Sequence, residues 1–174
     1  MPLPAARLAA RLVLSTLLLA RQGLAQGAED PGTLAARDRF LGTQSTAMGV
    51  LGGWAAVSVG TGAGLWALGR TPFVRAVGVQ QVAWGAIDGA IAAFSYRGIL
   101  RDRGRLEPAA YWAQERRKLR TILAVNVALD LVYVAVGAAL WRWGKSEQVR
   151  GAGAGVIPQG AFLLAFDSAF FFSL

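Results

Sequence analysis

Three aspartates lie inside hydrophobic stretches that are long enough to cross a lipid bilayer: Asp88, Asp130 and Asp167. No lysine or arginine lies deep in the apolar stretches, so the chain supplies no opposite charge at the same depth. An aspartate at the centre of a membrane helix costs roughly 2.5–3.5 kcal/mol on insertion scales. Three of them in one small protein indicate a polar site, because intramembrane carboxylates can carry protons or replace part of a cation's hydration shell.

Amide and aromatic side chains accompany the aspartates at helical spacing. Asn126, Asp130 and Tyr133 fall on one face of a helix, because they are separated by four and then three residues. The two other stretches carry comparable stripes that complete the candidate polar core: Gln81, Trp84, Asp88, Gln159 and Asp167. Lipid cannot hydrogen-bond to these groups, so we expect the three stripes to converge.

The depth of these side chains in the membrane predicts two layers. Consecutive membrane helices run in opposite directions and rise about 1.5 Å per residue. On that basis the three aspartates and Asn126 form one layer, with Asp130 nearest the middle of the bilayer. Gln81, Gln159 and Tyr133 form a second layer beneath it.

Three interpretations of the polar core are open at this point. In a closed hydrogen-bond network, protonated aspartates would donate to amides and carbonyls and would fix the helix register. In a proton or cation path, the same groups would be reached by water. In a pocket, they would bind a lipid or a small cationic ligand. A polar core that water can reach favours transport, and a polar core that water cannot reach favours a structural role.

Four apolar stretches must position these residues, and they predict an all-α membrane four-helix bundle. The stretches cover about residues 44–68, 73–96, 121–141 and 151–174. Residues 1–25 resemble a signal peptide, with early arginines, a short apolar run and a small-residue cleavage site. Residues 26–43 are polar and predict an interfacial lead-in to the four-helix domain. Pro108 is placed so that the third helix begins there, well before its apolar stretch.

Composition supports lipid as the solvent. Hydrophobic residues make up 55% of the 174 residues and charged residues only 16%, whereas soluble domains contain about a quarter charged residues. The net charge of +8 comes mainly from basic residues beside apolar runs, which favours lipid headgroups over nucleic acid as the partner. The chain contains no cysteine or histidine, so we expect no zinc site, no other metal site and no cofactor.

The connection between the second and third stretches, Arg97–Arg120, is the most basic part of the chain, and we call it the basic loop. Anionic lipid or a protein is its expected partner. Its arginines place it in the cytoplasm by the positive-inside rule. A cleaved signal peptide would place it on the other side of the membrane, so the two cues conflict and membrane orientation is open.

Small residues at helical spacing predict close helix crossings within the molecule. They occur at Gly49, Gly53, Gly60 and Gly64 in the first stretch and at Gly85 and Gly89 in the second. A homodimer face is the alternative use of such residues. Trp54 and Trp84 are expected to face the bundle interior, where each indole N–H needs an acceptor. The two halves of the chain show no convincing internal repeat.

No catalytic motif accompanies the polar core, and we do not expect an enzyme. Residues 151–155 (GAGAG) lack the lysine and the preceding strand of a phosphate-binding loop. Asp130 and Asp167 lack the flanking residues typical of intramembrane aspartyl proteases. The pattern therefore predicts a structural or partner-binding membrane module. The alternative is a subunit of a proton, cation or small-ligand transporter or channel, which would require oligomerisation.

Four segments of the chain resemble an uncharacterised family of bacterial membrane proteins, known mainly as a domain of unknown function. They are MGVLGGWA (48–55), VQQVAWGAIDGAIAAF (79–94), NVALDLVYVAVGAAL (126–140) and GAGAGVIPQGAFLLAFD (151–167). The resemblance covers about residues 35–174. It implies a four-helix bundle in the bacterial cytoplasmic membrane, crossed several times by the chain, and it implies no established activity.

Overall fold

The computed structural model describes residues 30–174, and within that range it contains four long helices and no strand. Helix α1 covers Pro31–Leu68, α2 Pro72–Asp102, α3 Ala109–Trp143 and α4 Glu147–Ser173. The predicted all-α four-helix fold is confirmed. The predicted signal segment, residues 1–25, lies outside the described residues.

Three of the helices begin at residues whose side chains cap the first turn. The side chains of Asp30, Thr71 and Ser146 each accept a hydrogen bond from a backbone N–H in the first turn of the following helix, which satisfies one of the free donors there. Pro31 and Pro72 occupy the first helical positions, where no N–H is needed.

The helices extend well beyond the apolar stretches. Residues 31–43 form the first turns of α1, and their interfacial position stays a prediction. The start of α3 after Pro108 agrees with the prediction from the sequence. Most of the basic loop is therefore helical, and only residues 103–108 connect α2 to α3. An apolar cluster fixes this end of the bundle: Phe40, Leu41, Ile99 and Trp112.

Three of the described helices are long and apolar enough to cross a membrane, namely α1, α3 and α4. This composition supports a membrane protein. Helix α2 is more polar, because residues such as Arg75, Gln80 and Gln81 interrupt its apolar face. It packs along both α1 and α4, and its role as a fourth span stays a prediction.

The helices pack in the order α1, α2, α4, α3. The two hairpins, α1–α2 and α3–α4, have extensive internal interfaces, and α2 and α4 join them at the centre. The sequence neighbours α2 and α3 make almost no direct contact. A gap between these two helices is the main irregularity of the bundle.

The two hairpins are copies of one another, displaced by 75 positions in the sequence. Gly69 and Gly144 end the first helix of each hairpin with nearly the same backbone angles, φ −62°, ψ 128° and φ −59°, ψ 135°. Thr71 and Ser146 then cap the second helix in the same way. The same displacement pairs identical residues: Gly62 with Gly137, Trp66 with Trp141, Val74 with Val149, Arg75 with Arg150, and Gly78 with Gly153.

The tightest helix contact is also duplicated. A Cβ atom on Gly78 would collide with backbone atoms of Trp66 and Gly62, and one on Gly153 would collide with backbone atoms of Trp141 and Gly137. The expectation that the two halves lack a repeat is therefore wrong. The repeat escapes notice in the sequence because the polar-core residues are not equivalent in the two copies.

The glycines that make the crossing differ from those expected. A Cβ atom on Gly49, Gly53, Gly60 or Gly64 would meet no atom within 4 Å, so these four residues do not form a close crossing. Gly62 forms the close crossing instead. It lies two residues from both Gly60 and Gly64 and therefore faces the opposite side of α1. In α2 the expectation holds for Gly85, whose Cβ would lie 2.9 Å from the Ala55 carbonyl oxygen.

Candidate ligand-binding cavity

Gln159 of α4 is the centre of a hydrogen-bonded cluster, and its side chain is fully buried. Its carbonyl oxygen accepts a hydrogen bond from Trp54 Nε1 at 2.7 Å. Its amide donates to Ser58 Oγ at 3.0 Å and to Gln81 Oε1. The amide of Gln81 in turn donates to the Gly155 carbonyl at 3.4 Å. We call Trp54, Ser58, Gln81 and Gln159 the amide cluster.

The amide cluster closes the interface between α1, α2 and α4. The ring of Trp54 also stacks on Phe162, with centroids 4.2 Å apart and planes 7° apart. The acceptor predicted for the Trp54 indole is therefore present. Ser58 was not predicted from the sequence, because a single serine in an apolar helix has no distinguishing signal.

A cavity of about 470 Å³ occupies the gap between α2 and α3, and we call it the acidic cavity. All four helices contribute to its lining. Six residues of the candidate polar core line it: Trp84, Asp88, Asn126, Asp130, Tyr133 and Asp167. The structure thus brings the three aspartates together and separates them from Gln81 and Gln159, which lie in the amide cluster.

The three carboxylates are deeply buried, with 2%, 3% and 5% of Asp88, Asp130 and Asp167 exposed. The Asp167 side chain lies beside those of Asn126 and Asp130 in the cavity lining. Asp88 lies close enough to Asp167 for electrostatic coupling. The Oδ2 atoms of Asp88 and Asp130 have no hydrogen-bond partner among the described residues. These two buried atoms are unsatisfied acceptors on residues that line the cavity.

Aromatic and aliphatic side chains complete the cavity walls. Trp84 and Tyr133 pack edge to face with ring centroids 5.2 Å apart. Tyr133 therefore lines the cavity, and it lies at the level of Gly160, next to Gln159, because a Cβ atom on Gly160 would lie 3.3 Å from the Tyr133 Cβ atom. Ile87 and Ile122, which are 51% and 56% exposed, flank the opening between α2 and α3. The cavity consequently communicates with the outer surface of the bundle.

The internal repeat shows how the α2–α3 interface, which contains the acidic cavity, differs from the equivalent α1–α4 interface. The position of Trp54 corresponds to Leu129, and that of Phe162 corresponds to Ile87. Stacked rings occupy the α1–α4 interface at the level of Trp54 and Phe162, whereas smaller aliphatic side chains at the equivalent positions of the α2–α3 interface line the cavity. The carboxylates are not repeated between the copies, since Asp88, Asp130 and Asp167 correspond to Leu163, Ala55 and Ala92.

No described basic side chain neutralises the cavity. The ion pairs found between residues 30 and 174 are Arg37–Asp38, Arg105–Asp102 and Lys118–Glu115, all at the end of the bundle that carries the basic loop. In the same range, no group of three or more acidic, histidine or cysteine side chains has the geometry of a metal site. The cavity therefore concentrates acidic groups inside an apolar bundle without an internal counter-charge.

Comparison with known proteins gives one match. A model for a family of unknown function, DUF6992, matches residues 50–168, which include the whole candidate polar core. No curated protein and no solved structure matches the chain. The resemblance to a family of unknown function is confirmed.

Proposed function

The chain belongs to the DUF6992 family, and because that family has no assigned function, we propose one from the cavity: this membrane protein binds a small organic cation with an apolar body. The observation that carries the proposal is the meeting of three carboxylate residues, Asp88, Asp130 and Asp167, in the lining of a 470 Å³ cavity, with no ion pair to a described basic side chain. A cationic N–H donor at these carboxylates neutralises buried charge.

Charge supports a cationic ligand. A buried carboxylate without a partner is expensive, and a cation that enters the site removes most of that cost. The described residues supply no such cation from within the bundle. The ligand therefore supplies the positive charge that the described residues do not supply to the cavity.

Size and wall chemistry support an organic cation over a bare ion. Most of the lining consists of aliphatic and aromatic side chains, which offer no oxygen ligands to a metal ion. The rings of Trp84 and Tyr133 can attract an ammonium group through their faces. A pocket of several hundred Å³ with apolar walls and few polar groups is typical of small-molecule sites.

The closed-network interpretation fits a different part of the molecule. Within the amide cluster, Gln159 makes three side-chain hydrogen bonds, and these bonds hold three helices together. The acidic cavity is not satisfied in this way. We therefore assign the structural role to the amide cluster and the binding role to the cavity.

Transport of the bound cation is a second candidate, and the internal repeat favours it. Each repeat has two helices, so the copies run in the same direction and are related by an axis along the membrane normal. Several transporter families bind substrate near the mid-plane at such a repeat interface. This function would place α2 as a fourth span and the protein in the bacterial cytoplasmic membrane, as a homo-oligomer.

Asp130→Asn tests the proposed binding. The full chain in nanodiscs is titrated with 2-phenylethylammonium, and with propylbenzene as its neutral isostere. We expect the variant to bind the ammonium probe about 30-fold more weakly than the wild type, since removing one partner of a buried charge pair costs about 2 kcal/mol or more. Glu115→Gln removes the same charge at the exposed Lys118 pair and should bind as the wild type does.

Either of two results would overturn the proposal. One is equal binding of the ammonium probe and propylbenzene by the wild type. The other is unchanged ammonium binding by Asp130→Asn, measured by the same titration on protein with wild-type helicity.

The stability of the same variant separates the two interpretations of the carboxylates. We expect Asp130→Asn to unfold at the same or a higher dodecyl sulfate concentration than the wild type, because the unpartnered Oδ2 has no hydrogen bond to lose. A closed network predicts the opposite, a loss of about 0.6–1.7 kcal/mol per bond. A clear decrease in the free energy of unfolding would therefore favour the network.

A further inference from the structure

A second site lies at the end of the bundle that carries the basic loop, and it does not depend on the acidic cavity. A polar pocket of about 400 Å³ opens between the start of α1, the start of α3 and the end of α4. Arg39 and Arg116 line it together with Thr43 and Ser173. Neither arginine forms an ion pair with a described acidic side chain. The pocket is therefore lined by two arginines without a described acidic partner, by the Thr43 hydroxyl, and by Ser173, whose hydroxyl donates to the Phe170 carbonyl at 2.7 Å; Leu174 also lines it.

An apolar groove of about 450 Å³ continues from this pocket along the α1–α4 interface. Thr43 and Ser173 line both spaces, so the two are adjoining. Thr46 also lines the groove, and its remaining walls are aliphatic and aromatic: Ala47, Val50, Phe162, Ala165, Phe166, Ala169 and Phe170. From Thr43 to Val50 it follows α1 for about 10 Å, at about 1.5 Å per residue. The stacked Trp54–Phe162 pair lies towards the end of the groove that is farther from the basic pocket.

We propose that this pocket and groove together bind one anionic phospholipid, with the phosphate between Arg39 and Arg116 and an acyl chain in the groove. Charge complementarity supports this occupant, because guanidinium groups bind phosphate oxygens in a bidentate manner. The surroundings reinforce it, since this end of the described chain carries ten basic and five acidic side chains. The basic pocket is followed by the apolar groove, which is the order of the headgroup and the acyl tail of a lipid in a leaflet.

The Arg116 side chain also has a fixed position in the structure. The Arg116 guanidinium lies 5.9 Å from the centroid of the Phe40 ring, and Phe40 is itself 5% exposed. The neighbouring Arg120 lies 4.6 Å above the Phe171 ring. The contact with Phe40 holds the long Arg116 side chain at the pocket and reduces the entropy lost when the phosphate binds, whereas Arg120 lies outside the pocket lining.

Native mass spectrometry of the full chain in a neutral detergent tests the site, because no charged bilayer surface is present there. The probes are phosphatidylglycerol, phosphatidylcholine with the same acyl chains, and inorganic phosphate. We expect the wild type to retain phosphatidylglycerol in preference to both others. The double variant Arg39→Gln, Arg116→Gln should bind it about 30-fold more weakly. The matched control Arg103→Gln, Arg117→Gln changes the same charge outside the pocket and should bind as the wild type does.

The groove is tested separately by Ala169→Trp, which keeps both arginines and fills the apolar space. This variant should lose phosphatidylglycerol and keep wild-type helicity. Equal loss in the pocket and control double variants would overturn the proposal by showing that binding follows total charge. Equal binding of inorganic phosphate, or unchanged lipid binding by Ala169→Trp, would overturn it by showing that the groove holds no acyl chain.

Discussion

Replacing Gly78 by alanine is expected to lower the free energy of unfolding by about 3 kcal/mol or more, at the upper end of overpacking costs. The added Cβ would collide with backbone atoms of Trp66 and Gly62, and backbone cannot rotate away as a flexible side chain can. Helices α1 and α2 would have to separate along their tightest contact. Dodecyl sulfate titration followed by circular dichroism measures the loss.

Gly64→Ala is the matched control, since it places the same methyl group on the opposing helix where no atom lies within 4 Å. It should leave stability unchanged or raise it by about 0.5–1 kcal/mol, because alanine favours a helix over glycine. Gly153→Ala should reproduce the Gly78 effect in the second hairpin, where the collision involves Trp141 and Gly137. Equal stabilities of the Gly78 and Gly64 variants would contradict the duplicated crossing.

Replacing Gln159 by leucine should lower the free energy of unfolding by roughly 2–5 kcal/mol, because three hydrogen bonds of about 0.6–1.7 kcal/mol each are lost in the membrane. Those bonds join Gln159 to Trp54, Ser58 and Gln81. Leucine preserves the volume of the side chain and leaves the three partners unsatisfied. The measurement is again a dodecyl sulfate titration of the full chain.

Gln114→Leu serves as the control for this substitution, since Gln114 is exposed near the start of α3. It should have little effect on unfolding. If Gln159→Leu were as stable as this control, the amide cluster would not hold the helices together, and the structural role assigned to it would be wrong.

Local patterns in the sequence determined the helical elements and the placement of their polar residues. Apolar stretches of membrane length predicted four helices, and Pro108 located the start of α3. Helical periodicity placed Asp88, Asp130 and Asp167 on faces that meet in one cavity. These features depend on near neighbours in the chain, so a single sequence contains the information for them.

Only the tertiary structure decided which partners these faces meet. Gly62, and not Gly60 or Gly64, forms the close crossing, because the rotation of α1 about its axis is set by its contact with α2. Ser58 accepts a hydrogen bond from Gln159, which lies 101 positions away in the chain. The ring of Tyr133 packs against the ring of Trp84. Ile87 and Leu129 line the cavity, whereas stacked rings occupy the equivalent positions of the α1–α4 interface. Such contacts depend on helix rotation and on the order of packing, which nearest-neighbour patterns do not specify.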